Sequence, residues 1–562
     1  LVGVEVDRPP REGHVDTLTV RVRKSLEYPD GIGHDLRYVS SKYGLAWRFP
    51  DEAEREALDA AGIDMEREAD VRADLRDRIL FTIDGIDARD FDDALGLEEL
   101  GGDRVLLTVA IADVSRVVPE GGAVDREARR RGFSVYFPEA CLHMLPEVLS
   151  TDVMSLRPGL DRLAVCVEIV CDGGGAVVSS RIFEAVIRSR ARLTYEAVGP
   201  FLDGGAQGGD GFGQEISSRL VSLHRLCTRL YERRKKLGSL DFDLAGIEVI
   251  MGHGGVISSI GKTFANAAHR IVEEAMLLAN RTVCSFLEER GYPVMFRVHE
   301  PPDRKDLDEL ADTLHEVGLD TSIVSRIARA AGSATDVRRV LQDVVDMTRG
   351  TVLESFVSAQ VLRSLKRARY SATNIGHFGL AFDAYLHFTS PIRRYPDLMV
   401  HRTLKRALQH VPPRKWTKGL ERIACDLSRL EEVTDNAMRE VLKMKTASYM
   451  AERLGDEFDA VVTSVRPFGV FVEVLDPPVD GMLVDMNGTL AGFRRWKHRS
   501  RRGFTPGDPL RVSLVRADAA SGRLDFAPVG PAARRTGGGG SPGASGKRPP
   551  GSRGVGGHGR RV

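Results

Sequence analysis

The sequence predicts an α+β multidomain protein in which one large mixed domain is flanked by small β-barrels. Three observations carry that prediction. Its 562 residues exceed what a single hydrophobic core normally supports. Between Phe81 and Leu408, strand-like stretches such as RVLLTVAIADVS alternate with long helical periods such as AAHRIVEEAMLLANRTVCSFLEER. Both flanks read as short strands separated by turn signals.

Composition excludes several classes. The chain is 42% hydrophobic and 28% charged, ordinary for globular proteins. No run approaches the roughly 18 to 20 apolar residues of a membrane span, and no secretory pattern opens the chain, so no membrane association is expected. Six cysteines (Cys141, Cys166, Cys171, Cys227, Cys284, Cys425) form no C-x-x-C pair. That argues against a zinc site and a disulfide framework, and predicts a reducing, cytoplasmic compartment. Basic and acidic residues balance at 80 each, so a polyanionic partner would have to be met by local patches. The chain begins at Leu1 rather than methionine, as expected of a fragment or an unusual start.

Taken in order, residues 1–50 alternate like short strands (LVGVEV, TLTVRVRKSL) and are expected to form part of a small barrel. The stretch DEAEREALDAAGIDMEREADVRADLRD predicts a charged helical linker over 51–80. Residues 81–410 carry RVLLTVAIADVS, RLAVCVEIVCD and SSRIFEAVIRS as strands among long helices, the layout of a catalytic α+β domain. Within it, GPFLDGGAQGGDGFGQE lacks the G-x-x-x-x-G-K-[ST] order of a phosphate cradle and reads as a surface loop. Residues 411–455 are expected to be helical, and 456–528 to form a five-stranded OB-type barrel. Phe468 and Phe471 lie on the best strand of that barrel, beside Arg466. They are either core residues or a base-stacking pair. Residues 529–562 hold basic but no acidic residues in a Gly/Pro/Ser background, and predict a disordered basic tail.

Three constellations carry chemistry. TIDGIDARDFDDAL places Asp84, Asp87, Asp90, Asp92 and Asp93 together, entered by the apolar RILFTI and left by ALGL. A carboxylate cluster wedged into a core is kept only if something neutralises it, and a hard cation would do so. The order does not fit an EF-hand loop, and oxygen donors without histidine or cysteine favour Mg²⁺ or Mn²⁺ over zinc. Magnesium held by few carboxylates completes its shell with water and phosphate oxygens, which points to phosphate chemistry. The second constellation is HFTSPIRRYPDLMVHR, where Arg393 and Arg394 follow a proline turn and precede a helix. An arginine fork there matches phosphate, whereas a solvated helix end is the plain alternative. The third is AHRIVEEAMLLAN, with His269, Glu273 and Asn280 on one helical face and Glu274 turned toward solvent.

These residues resemble a known family. TIDGIDARDFDDAL, RRGFSVYFPEACLHMLPEVLS, ARLTYEAV, NIGHFGLAFDAYLHFTSPIRRYPDLMVHR and the C-terminal barrel together look like the RNase II/RNase R family of 3′-to-5′ exoribonucleases, over roughly residues 1–528. The resemblance implies an RNB-type catalytic domain between OB-fold barrels, the first a partial cold-shock-like barrel and the last of ribosomal type. It puts the acidic metal site on Asp84, Asp90, Asp92 and Asp93, with Asp84, Asp90 and Asp93 as direct ligands and Asp92 orienting the site or the attacking water. It puts the aromatic clamp for the terminal bases on Tyr136 and Phe242, the catalytic-helix glutamate on Glu273 and the essential arginine on Arg393. Phe468 and Phe471 would contact RNA.

The sequence departs from the family pattern in three places: STDVMSL carries Thr151 and Met154 at a channel wall, Val484 stands where a barrel histidine is common, and only about fifty residues precede the linker. The implied activity is that of a monomeric, Mg²⁺-dependent (or Mn²⁺-dependent), processive enzyme hydrolysing single-stranded RNA to nucleoside 5′-monophosphates in RNA degradation and processing. The alternative is an RNA-binding regulatory protein that keeps the fold without turnover, against which the complete acidic set argues.

Overall fold

The computed structural model describes residues 2–8, 19–25, 33–204, 211–242, 246–252, 255–319, 322, 326–327, 333–351, 353–413, 417–466, 468–484 and 504–529. The basic tail expected from the sequence lies, from residue 530 on, outside the described residues.

Strands β1 (Val2–Arg8) and β2 (Thr19–Ser25) pair antiparallel. Within the stretch expected as a partial barrel, His34–Tyr43 is a helix that buries Leu36 and Val39 against the helix Thr417–Ala451. Lys445 of that long helix fastens the contact through Asp35 and Glu139, at 2.8 and 2.6 Å. Helices Asp51–Ala60 and Met65–Ala69 follow where a charged linker is expected, but they are packed rather than free. Ala53 and Ala57 are buried, and Arg72 joins Glu68, Asp113 and Glu184 in one ion network.

Seven strands make the central sheet: β3 (Ala73–Leu75), β4 (Phe81–Asp84), β5 (Asp93–Gly101), β6 (Arg104–Ala112), β9 (Asp161–Cys171), β10 (Val177–Arg188) and β11 (Ala191–Thr194). The short hairpin β7 (Val135–Phe137) and β8 (Ala140–Leu142) falls between β6 and β9 in the chain. The sheet order is β11-β4-β5-β6-β9-β10-β3; the two outer pairs are parallel and the rest antiparallel.

The period-two pattern of the strands explains how both faces are covered. Phe81, Ile83, Leu95, Leu97, Leu107, Val109, Ile111, Val165, Val167 and Ile169 project to one side, where helices Gln214–Lys236 and Ala267–Glu289 bury Leu220, Leu223, Ile271 and Ala275 against them. The alternate residues, Ala94, Ala110, Ala112, Ala164 and Cys166, are small and admit Val124, Ala128, Leu398 and Leu427 on the other side. The glycine-rich stretch is in part helical, as Tyr195–Leu202, and its residues 205–210 lie outside the described set.

Helices Arg304–Glu316, Ala334–Thr348 and Glu354–Ser364 form a separate apolar layer. Two further ribbons, β12 (Gly246–Met251) with β13 (Ile257–Thr263) and β14 (Phe296–Val298) with β15 (Arg369–Ser371), complete the large domain. Strands β16 (Glu457–Arg466), β17 (Gly469–Leu475), β18 (Pro478–Leu483), β19 (Pro509–Asp518) and β20 (Arg523–Pro528) close into a barrel in the order β16-β17-β18-β20-β19. Ile257, Ile260, Ala447 and Met450 share its core, so the β12–β13 ribbon and the end of the long helix seat the barrel on the large domain. Val484 is buried there, its amide bonded to Phe526 O at 2.8 Å, and has no face free for a base.

Candidate active site

The acidic run occupies the turn from β4 to β5: Asp84 is the last residue of the first strand and Asp93 the first of the second. Three outside groups fix the turn. Arg192 of β11 donates through Nη2 to Gly85 O at 2.9 Å and also to Ile86 O. Ser155 donates to Arg89 O at 2.7 Å and accepts from Phe91 N at 3.0 Å. The Ala112 amide donates to Asp92 O at 2.9 Å.

The HFTSPIRRYPD segment comes to the same place from three hundred residues away. Ile392 N donates to Asp92 Oδ1 at 2.8 Å, and Arg393 Nε stands 3.4 Å from Asp92 Oδ2. The segment holds its shape through buried Asp397, which accepts from Ser390 N at 2.8 Å and from Arg394 Nη2 at 2.7 Å. Arg394 is thereby a structural ion pair, while Arg393 is left with Ser390 Oγ at 3.1 Å and its fork toward the aspartates. Asn280 buttresses the segment, accepting from Phe388 N at 2.8 Å and donating to the Tyr385 hydroxyl at 3.0 Å. The β7–β8 hairpin leans on it through Ser134 N, which donates to Arg393 O at 3.0 Å, and Tyr136 donates its hydroxyl to Asp90.

Burial of like charges dominates the electrostatics. Burial, with the Asp90 charge adding to it, pushes Asp84 up to about 6. Burial and the Asp84 charge push Asp93 up to about 8, against the pull of Arg393 and Arg394. Burial also drives Asp92 well above the carboxylate range, opposed chiefly by Arg393. Asp84 Oδ2 and Asp92 Oδ2 are buried with no hydrogen-bond donor. Such groups call for a cation. Among the described residues no group of three or more His, Cys, Asp or Glu side chains is gathered closely enough to hold a metal ion by itself. The unpartnered carboxylate oxygens of Asp84 and Asp92 fit a hard, oxygen-preferring cation.

Not every expected residue arrives here. Glu273 is 58% exposed, and its partner is Arg234, 3.4 Å away, with no contact to the aspartates or to Arg393. Its neighbour Glu274, expected to be solvated, is instead only 3% exposed and is the stronger partner of Arg234, at 2.6 Å. Helix Gln214–Lys236 packs on that face and supplies Arg234, which periodicity alone could not reveal. His269 stacks on Tyr195, ring centroids 3.9 Å apart, and completes the helix cap with Asn266. Phe242 packs on the separate helical layer rather than beside Tyr136. Met154 is buried in the core, and Thr151 donates to Glu147 O at 3.0 Å.

Phe468 and Phe471 meet edge to face, centroids 5.9 Å apart, on the wall of a groove of about 1030 Å³ between the barrel and the large domain. Arg363, Arg439, Lys443, Arg466 and Arg523 share that wall. Arg192, Ser155, Asn280 and Asp397 position the site. Of these the sequence singled out Asn280 alone, for its helical face; Arg192 and Asp397 lie within motifs whose other residues drew attention. Among the described residues no helix is long and apolar enough to cross a membrane.

Residues 72–410 match the RNB domain family. The chain is 39% identical over 504 residues to Ribonuclease R of Aquifex aeolicus, spanning 87% of this chain and 69% of that protein. It is 37% identical over 526 residues to Ribonuclease R of Thermotoga maritima, spanning 90% and 72%. Its fold is similar to that of Mycoplasma genitalium RNase R in complex with ribose-methylated single-stranded RNA, with a TM-score of 0.79, 24% identity, and 91% and 80% of the two chains covered. With the domain match running through both the acidic turn and the arginine segment, and relatives aligned over more than two thirds of their own length, the chain belongs to the RNB-domain, Ribonuclease R family and is an exoribonuclease.

Proposed function

We propose that this exoribonuclease is a Mg²⁺-dependent, processive 3′-to-5′ enzyme that hydrolyses single-stranded RNA to nucleoside 5′-monophosphates. The observation that carries this reading is the joining of Arg393 to buried Asp92 beside two aspartates, Asp84 and Asp93, whose burial outweighs the pull of the neighbouring arginines. Asp84, Asp90 and Asp93 would contribute to holding the ion together with water and phosphate oxygens, with Mn²⁺ as a substitute of the same hard-oxygen preference. When bound, the ion polarises the scissile phosphate and lowers the pKa of a water.

The residues of the chain supply the rest. Asp92 fixes the Ile392–Arg393 backbone and side chain, so that the guanidinium is aimed before substrate arrives. Arg393 then meets charge developing on the phosphate oxygens, the preorganised arrangement that accelerates such reactions most. The half-exposed Tyr136 ring, tethered through its hydroxyl to Asp90, offers a stacking face for a terminal base at the reacting end. The aromatic and basic groove at the barrel offers contacts further along the strand, which supports retention of RNA between cleavages. Glu273 pairs with Arg234 and Phe242 packs on the separate helical layer, so neither adds support to this reading.

The test is product analysis. The purified protein is incubated with 5′-labelled RNA and DNA oligomers, with Mg²⁺, Mn²⁺ or excess chelator. Monophosphate release from RNA alone, lost in chelator and lost in Asp92→Asn with RNA binding kept, is the expected outcome. Unchanged cleavage in chelator, or wild-type turnover by Asp92→Asn, would sink the metal assignment.

A further inference from the structure

A second basic concavity lies at the other end of the sheet. It has a volume of about 790 Å³ and is bounded by the β9–β10 turn and by helices Gln214–Lys236 and Ala267–Glu289. Register separates it from the aspartates. Asp93 pairs with Ile111 and Ile111 with Val165, whereas the turn beside the cavity begins after Cys171, which pairs with Val177. The turn lies six residues of strand, roughly 20 Å at about 3.3 Å each, beyond that register, and the cavity wall reaches back along β10 as far as Ile182, which pairs with Val167.

Five arginines line it: Arg181, Arg233, Arg234, Arg281 and Arg290. Three are answered by carboxylates. Arg181 pairs with Glu168 at 2.9 Å, Arg234 with Glu274 at 2.6 Å, and Arg290 with Glu289 at 3.7 Å. Among the described residues Arg233 and Arg281 have no carboxylate within ion-pair distance. Burial and, after it, the charge of Arg233 lower the Arg281 pKa, with Asp383 opposing them only from a distance. Arg281 is stacked, its guanidinium 4.4 Å from the Phe382 ring centroid, while Arg233 is an exposed side chain on the same wall. Ser285 adds a hydroxyl to the same wall.

We propose that this concavity is a phosphate-binding site outside the catalytic centre, with Arg233 and Arg281 as its anion ligands. Two neighbouring guanidinium forks with no protein counter-ion match the oxygens of a phosphate, and the volume falls in the range of small-ligand pockets. The phosphate can be carried by a free nucleotide or by the backbone of RNA, and the two sources are separable.

In chelator, where hydrolysis is stopped, calorimetry measures binding of pyrophosphate and of uridine 5′-monophosphate to the wild-type chain, to Arg233→Ala/Arg281→Ala and to Arg393→Ala. A salt series on a long single-stranded RNA runs alongside. Arg233→Glu repeats the comparison without disturbing the Arg281–Phe382 stack, and an unchanged melting curve confirms that the variants fold. If free phosphates are the ligand, the double variant weakens small-anion binding about tenfold or more and Arg393→Ala leaves it intact. If the RNA backbone is the ligand, small anions do not bind, and the double variant lowers the slope of log affinity against log salt by about 0.7 for each phosphate that is no longer bound. Small-anion binding that survives in the double variant or disappears in Arg393→Ala overturns the proposal. So does a double variant indistinguishable from wild type in both arms.

Discussion

Asp84 and Asp93 stand at the two ends of one loop, and burying their like charges counts against stability. The raised value of Asp93, about 8, means that the folded chain holds a proton there that the unfolded chain has released at neutral pH, whereas Asp84, at about 6, does so only in mild acid. Without a bound cation, the contribution of Asp93 is therefore favourable below about pH 4 and is lost as pH rises through 8. Asp93→Asn removes the titrating group. In chelator at pH 8 it should be more stable than wild type, with the gap closing toward pH 4 and hydrolysis absent throughout. Thermal melts across that pH range check it, and a variant less stable than wild type at pH 8 would contradict the charge-burial account. Arg393 faces a different demand, because its fork rather than its charge alone is aimed by Asp92 and Ser390. Arg393→Lys should lower the single-turnover rate by about a hundredfold with a much smaller change in RNA affinity. Equal rates would reduce Arg393 to a solvated charge at a helix end.

Elements explain why some of this was legible and some was not. The acidic turn is contiguous, so its five aspartates and apolar flanks announce themselves in any reading of the chain, and the strands around it follow from period-two alternation. Arg393 could be found because proline and arginine chemistry are concentrated within one segment. The helix Ala267–Glu289 misled, because both Glu273 and Glu274 satisfy a plausible wheel and the choice between them is made by Arg234 on another helix. Arg192 was invisible as a clamp because it acts through parallel pairing of β11 with β4, where Thr194 lies opposite Asp84. Asp397 holds the arginine segment as one element, being the carboxylate within ion-pair distance of Arg394. Asp397→Asn should cost about 3 kcal/mol in chemical denaturation, the penalty of leaving a largely buried guanidinium without its partner, and should impair hydrolysis as well. A cost below about 1 kcal/mol, the size of an ordinary exposed ion pair, would show that the segment is held elsewhere. The β7–β8 hairpin makes a separate commitment through Tyr136. Tyr136→Ala should leave a longer residual oligonucleotide, since a base stack is worth roughly 1–3 kcal/mol and matters most for the last few nucleotides. An unchanged end product would remove the hairpin from substrate binding.

At the scale of the whole molecule, the barrel is joined to the large domain by a shared core, so removing it would uncover Ile257, Ile260, Ala447 and Met450 as well as taking away the proposed RNA groove. Point substitutions in the groove separate the two effects. Arg363, Arg439 and Lys443 project from helices of the large domain toward Phe468 and Phe471 of the barrel, and all three are exposed. None of them contacts the aspartate turn or Arg393. Replacing the three with alanine should leave folding and the hydrolysis of oligomers too short to reach the groove unchanged. Long RNA should bind more weakly, and the slope of log affinity against log salt should fall by about 2, at roughly 0.7 for each phosphate bound on a single strand. The enzyme should also release long substrates earlier, so that chase experiments with unlabelled RNA give intermediates that the wild type does not leave. Titrations of a long and a short RNA over a salt series, with the chase on each, measure all three quantities. Equal slopes on the long RNA would mean that the strand leaves the aspartates by a path that avoids the barrel groove, and slowed cleavage of the short oligomers would mean that the groove and the aspartates act as one unit.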